Sequence, residues 1–125
     1  MRTPVFIKHK GESIYFMDFE GLKTLEDFKY LIEASKKHIR NQPPKSVVAL
    51  TSMEGMHFNK DIRDMIADFI DGNKPHMKVS AVYGINGLLR VVYNGVTKIT
   101  GRDVRAFESK EKALEWLTSR QTVAV

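Results

Sequence analysis

PKSVVALTSMEGMHFNKDIRDMIADFIDGNKPHMKVSAVYGINGLLR, residues 44–90, contains one unit twice. Each copy is an apolar run that breaks at a turn and opens an amphipathic helix. Val47-Val48-Ala49-Leu50, within Ser46 to Ser52, is bounded by turn signals and too short for a helix, as a strand buried on both faces should be. Asn59 then reads as an N-cap, and Ile62, Met65, Ile66, Phe69 and Ile70 follow at i, i+3, i+4, i+7 and i+8. Asp61, Arg63, Asp64, Asp68 and Asp71 fall on the outer side; Gly72 reads as the C-cap and Pro75 blocks continuation. Met77 to Gly84 repeats the design, with Val79, Ala81 and Tyr83 alternating against Lys78, Ser80 and Val82. Gly84-Ile85-Asn86-Gly87 then turns the chain into a helix carrying Leu88, Leu89, Val92, Val96 and Ile99, with Arg90 one turn in. Neighbouring parallel strands place the turns Thr51 to Asn59 and Gly84 to Gly87 side by side at one end of a sheet.

The flanks complete the pattern. Pro4 to Lys8 and Ser13 to Phe19 read as the arms of an antiparallel hairpin around a four-residue loop, His9-Lys10-Gly11-Glu12, whose glycine supplies the positive φ. In the second arm Ile14, Phe16 and Asp18 alternate with Tyr15, Met17 and Phe19, so both faces are covered. A helix runs from about Thr24, its N-cap, to Arg40 with Leu25, Phe28, Leu31, Ile32 and Ile39 as the apolar stripe, and Pro43-Pro44 ends it. Val104 to Phe107 is a short last strand. Ser109 caps a final helix with Ala113, Leu114, Trp116 and Leu117 inward, and the tail Gln121 to Val125 is short and β-prone. The order β-β-α-β-α-β-α-β-α predicts one α/β domain over residues 1–125: a mixed, mainly parallel sheet of four to five strands with an N-terminal antiparallel hairpin and about four helices.

Composition narrows the function classes. A chain of 125 residues holds one core, and 42% hydrophobic with 28% charged residues suits a soluble domain. The absence of cysteine removes disulfide and thiolate chemistry, and Met1 to Lys10 lacks a signal-peptide run, so the cytosol is the expected compartment. The formal charge of +5 favours anionic partners, yet the basic residues are spread along the chain, and the densest cluster, Lys36-Lys37-His38-Ile39-Arg40, suits the carbonyl end of its helix. No specific nucleic-acid site is expected.

Ligands of open α/β sheets bind beyond the carboxyl ends of the strands, which nominates Thr51, Ser52, Glu54, Met56, His57, Phe58 and Asn59 from the first turn and Gly84, Asn86, Gly87 and Arg90 from the second. The glycine turn lacks the third glycine of a dinucleotide fingerprint and the ending of a phosphate loop; its glycines either serve backbone geometry or cradle an anion met by Arg90. The four histidines show no metal-ligand spacing, and His57 and His76 belong at opposite ends of the sheet, so no metal or other cofactor is expected. Glu54 and His57 share a loop but have no serine elbow or second fixed carboxylate, and no catalytic residue is assigned. The aromatic and methionine bulk fills the core or lines an apolar pocket under Met53 to Phe58.

Gln42 to Thr51, Phe58-Asn59, Asn73-Lys74-Pro75, Ala81 to Leu88, Thr100-Gly101-Arg102, Phe107 and Glu111 to Leu117 together resemble the SpoIIAA-like branch of the STAS (anti-sigma-factor antagonist) family of small bacterial proteins. The resemblance spans Ile14 to Leu117 and implies a mixed sheet with helices and a non-enzymatic role. Regulatory STAS proteins carry Asp-Ser-Ser-Gly at the start of the helix after the second parallel strand, with its first serine phosphorylated. Here Phe58 matches the preceding phenylalanine, Asn59-Lys60-Asp61-Ile62 follows, and Asp61 replaces that serine, as a fixed negative charge or an ordinary helix starter.

These observations lead to a non-catalytic STAS-like domain recognising a protein partner or a small apolar or anionic ligand through the two turns, with Asp61 at their margin. A carrier or sensor of a small apolar or lipid molecule, in the manner of the SEC14-like proteins with which this family is also grouped, and a small enzyme using His57 and Glu54, are the competing expectations. The hairpin edge or the tail would serve a homodimer.

Overall fold

Continuous apolar runs demand cover on both faces, and the architecture supplies it. The computed structural model describes residues 3–84 and 104–123. Five strands, β1 (Val5–His9), β2 (Glu12–Asp18), β3 (Val47–Ser52), β4 (Met77–Tyr83) and β5 (Val104–Phe107), form one sheet in sequence order. The β1–β2 pair is antiparallel and the three others are parallel. Helices α1 (Leu25–Ile39) and α2 (Lys60–Asn73) form the two described crossovers, and α3 (Lys110–Val123) follows β5.

On one face Phe28, Leu31, Ile32 and Ile39 of α1 and Ile62, Ile66 and Phe69 of α2 join Tyr15, Met17, Ala49 and Val82 of the sheet in a buried cluster. On the other, Ala113 and Leu117 of α3 pack on Ile14, Val48, Leu50, Val79, Ala81 and Tyr83. The mixed α/β sheet with its N-terminal hairpin is as expected. The helix assigned to Leu88–Ile99 lies outside the described residues.

Local chemistry sets the boundaries. Thr24 Oγ1 accepts from the Asp27 amide (3.2 Å), Asn59 Oδ1 from the Ile62 amide (2.9 Å) and Ser109 Oγ from the Lys112 amide (3.2 Å), so all three described helices start at the residues whose side chains can replace a missing carbonyl.

Five expectations need correction. The hairpin loop is the two-residue turn Lys10-Gly11, with φ of 50° and 82°, because paired left-handed residues match the twist of a tight hairpin. Leu25 is 46% exposed at the start of α1, and Ser35 occupies the buried stripe instead, its hydroxyl donating to the Leu31 carbonyl (2.8 Å). Gly72 lies inside α2, not at its cap: a Cβ there would strike the Arg40 guanidinium, whose Nε donates to Asn73 Oδ1 at 3.1 Å and holds the last turn. At Lys78 a bulge interrupts the β3–β4 register, so Met77 belongs to the α1/α2 face while Val79, Ala81 and Tyr83 face α3. Finally, α3 continues to Val123, making Gln121 to Val123 helical rather than β.

Tyr15 is fully buried in β2, with its hydroxyl hydrogen-bonded to His38 Nδ1 at 2.7 Å. Burial pushes the phenol up to about 12, against a smaller opposing pull from Ser35. The folded state therefore holds this proton more tightly than the unfolded chain, whose phenol titrates near 10. The associated stability is fully present below pH 10 and is lost as pH rises through 12; a two-unit difference corresponds to roughly 2–3 kcal/mol. Urea unfolding between pH 9 and 12 should show wild type losing about that much more than Tyr15→Phe. Parallel losses in the two proteins would refute this account of Tyr15.

Candidate functional site

Three corners meet where β2, β3 and β4 end. The Phe19 amide donates to the Ser52 carbonyl (2.9 Å), Gly21 to Glu54 (2.9 Å), His57 to Leu22 (2.7 Å) and Met53 to Tyr83 (2.9 Å). Gly84, at φ 82°, passes directly against Glu54, where a Cβ would come within 2.8 and 2.9 Å of its backbone N and Cα. The loop after β3 is thus clamped between the corner after β2 and the residue after β4, and the two nominated turns begin on the same rim.

Along this rim Glu54, His57, Asn59 and Asp61 are exposed, with Asn59 capping α2 and Asp61 in its first turn, where a carboxylate complements the helix dipole. Met56 is buried and Phe58 half-buried, both packed into the α1/α2-side core, where they anchor the loop. Thr51 and Ser52 are buried on opposite faces of β3 and do not share a site. Asn86, Gly87 and Arg90 lie outside the described residues. No hydrogen bond or ion pair joins Glu54 to His57 among the described residues, and none of these residues form a cluster of three or more potential metal ligands. His57 and His76 stand at opposite edges of the sheet, as expected.

The corner after β2 was not anticipated. Asp18, Ser52 and Tyr83 are register neighbours across β2, β3 and β4, and Phe107 of β5 continues the row. Burial raises the Tyr83 phenol above its ordinary range; the Ser52 hydroxyl opposes this, and the carboxylates of Asp18, Glu54 and Glu20 add to it. Ser52 Oγ is close enough to favour phenolate, yet among the described residues it meets no partner in hydrogen-bond geometry. The signal available in sequence was Asp18 itself, a carboxylate on a strand face otherwise carrying Ile14 and Phe16.

A cavity of about 40 Å³ lies between the sheet and α2, lined among others by Met17, Met53, Met77, Phe69, Thr51 and Ser80. Met56 and Phe58 do not line it, so it runs beneath Met53 rather than beneath the whole loop. It has room for a few waters, against roughly 300 Å³ for a typical small-molecule site. Among the described residues no helix is long and apolar enough to cross a membrane.

The model of the SpoIIAA-like family matches residues 14–118. The crystal structure of an uncharacterised protein from Shewanella loihica with a SpoIIAA-like fold superposes with a TM-score of 0.73 at 16% identity, covering 91% of each chain. No curated protein matches the sequence.

Proposed function

The chain belongs to the SpoIIAA-like family, and from that premise we propose that it is a non-catalytic recognition domain that binds a protein partner through the rim carrying Glu54, His57, Asn59 and Asp61. The observation that carries this is the clamp: backbone hydrogen bonds from both neighbouring corners fix the exposed loop without help from a ligand. A surface held in place before binding loses little conformational freedom on docking. Asp61 supplies a constant charge in the first turn of α2, the turn in which the regulatory relatives carry a phosphorylatable serine, so on this reading recognition is constitutive. The small volume of the cavity under Met53 supports this reading over an apolar carrier using that cavity, which would need a volume several times larger.

A photo-crosslinking residue placed at position 54 or 61 in cells of the source organism should yield a discrete adduct with a second protein, and one at Lys37, on the opposite edge, should not give that adduct. Glu54→Lys should weaken the association by tenfold or more, as for a central interface residue, while changing stability by less than about 0.5 kcal/mol. Adducts independent of position would refute the rim. Retained mass beyond the chain in native mass spectrometry would instead support the carrier, and turnover abolished by His57→Ala the enzyme.

A further inference from the structure

Among the described residues β1 is hydrogen-bonded to β2 alone and forms an outer edge of the sheet. His9 and Glu12 flank the two-residue turn, so they are a pair that bonds through the backbone, and the alternation of an antiparallel ladder gives Ile7 and Val5 the same role. The backbone N–H and C=O groups of Phe6 and Lys8 therefore point away from the sheet. Such an edge is a template for a further strand.

The side chains beside this edge set what that strand must carry. Phe6 and Lys8 stand on the same face as Tyr15, the α1 side of the sheet. The Phe6 ring, 48% exposed, lies 4.8 Å from that of Tyr15, whose hydroxyl is hydrogen-bonded to His38. His38 in turn lines a shallow trough of about 560 Å³ along α1, together with Glu26, Lys29, Tyr30, Glu33 and Lys37. The two acids are accounted for: Glu33 pairs with Lys36 at 3.3 Å, and Glu26 complements the dipole in the first turn of α1. Helix polarity accounts likewise for Lys37 in the last turn, but not for Lys29 or Lys8. Among the described residues no ion pair engages Lys8, Lys29 or Lys37.

An edge that alternates donors and acceptors at strand spacing is matched by a peptide backbone, and by neither a nucleic-acid chain nor a bilayer surface. The cations beside it call for carboxylates on that peptide. They also disfavour a second copy of this chain, whose own β1 would bring another Lys8 to an edge already basic. We propose that β1 accepts an acidic, extended segment of another protein as a sixth strand, its backbone bonded to Phe6 and Lys8 and its carboxylates turned toward Lys8 and Lys37. The exposed Phe6 ring gives an apolar side chain of the same segment a surface to cover. This lateral edge is separate from the rim that carries Glu54 and Asp61, and either surface can fail without the other.

Amide hydrogen exchange with the peptide Val-Glu-Val-Glu-Val-Glu-Val as probe tests this. In the dilute free protein the Phe6 and Lys8 amides should exchange freely while those of Ile7 and His9 are protected, and saturating peptide should slow Phe6 and Lys8 by about tenfold. The same peptide with Lys in place of Glu should bind more weakly by about tenfold or more. N-methylation of either the Val or the Glu residues should cost about tenfold, and of the other set little, because one set of amides faces β1. Lys8→Glu and Lys37→Glu should each weaken binding about threefold or more, and Lys60→Glu, at the start of α2, should stay within about twofold of wild type. The N-methylated peptides test the strand on unaltered protein if a variant folds poorly. Slow exchange of Phe6 and Lys8 in the dilute protein, equal binding of the lysine peptide, or equal tolerance of both methylation patterns would overturn the proposal. So would protection that grows with protein concentration in the absence of peptide, which would give the edge to a second copy, or tighter binding of oligothymidine than of the acidic peptide.

Discussion

Gly84→Ala should destabilise the protein by about 3 kcal/mol or more, whereas Gly55→Ala, one corner away, should cost about 1–2 kcal/mol. Both glycines have left-handed backbones, with φ of 82° and 64°, so both substitutions incur the penalty of placing a Cβ there. They differ in what the Cβ meets. At Gly55 nothing lies within 4 Å, while at Gly84 the Cβ would overlap Glu54 Cγ and approach the Glu54 backbone N and Cα at 2.8 and 2.9 Å. The side-chain carbon can swing aside. The backbone cannot, because the Gly21 amide holds the Glu54 carbonyl and the Met53 amide is held by the Tyr83 carbonyl on the strand leading into Gly84. Relieving the overlap therefore means breaking rim hydrogen bonds, and crosslinking from position 54 should fall with stability. Urea unfolding of the two variants measures the difference; values within about 0.5 kcal/mol of each other would show that the close approach is unimportant.

That contact also marks how far the residues alone lead. Val47 to Leu50 was legible as a strand because burial on both faces demands an uninterrupted apolar run, Met77 to Tyr83 because Val79, Ala81 and Tyr83 alternate ahead of a glycine turn, and the caps at Thr24, Asn59 and Ser109 because few side chains can accept the first helical amides. From these the shared rim of the Thr51 and Gly84 turns follows. The clamp from Phe19 to Leu22 does not, since its bonds join backbone groups remote in sequence and no side-chain type encodes them. The bulge at Lys78 was equally hidden: a single unpaired residue leaves the local alternation of Val79, Ala81 and Tyr83 intact and shows itself only as Met77 on the other face.

Phe69→Ala should cost about 3–5 kcal/mol and convert a cramped cavity into a ligand site. Phe69 is buried in the α1/α2-side core and lines the cavity of about 40 Å³, so removing its ring joins new empty space to old. The neighbours on the sheet side are strand residues such as Met17 and Val82, fixed by the ladder and unable to collapse inward, which places the cost in the upper part of the range. Methionine flexibility and a water settling near Thr51 and Asn73 act in the opposite direction. The enlarged space is apolar on most sides and should accept benzene, restoring about 1 kcal/mol when the ligand exceeds its dissociation constant several-fold. Wild type, with room only for waters, should be unmoved by benzene in the same urea titration. Stabilisation of wild type by benzene would mean that α2 yields readily from the sheet, and the volume argument against an apolar carrier would then fail, because a cavity that opens for a ring can open further for a chain.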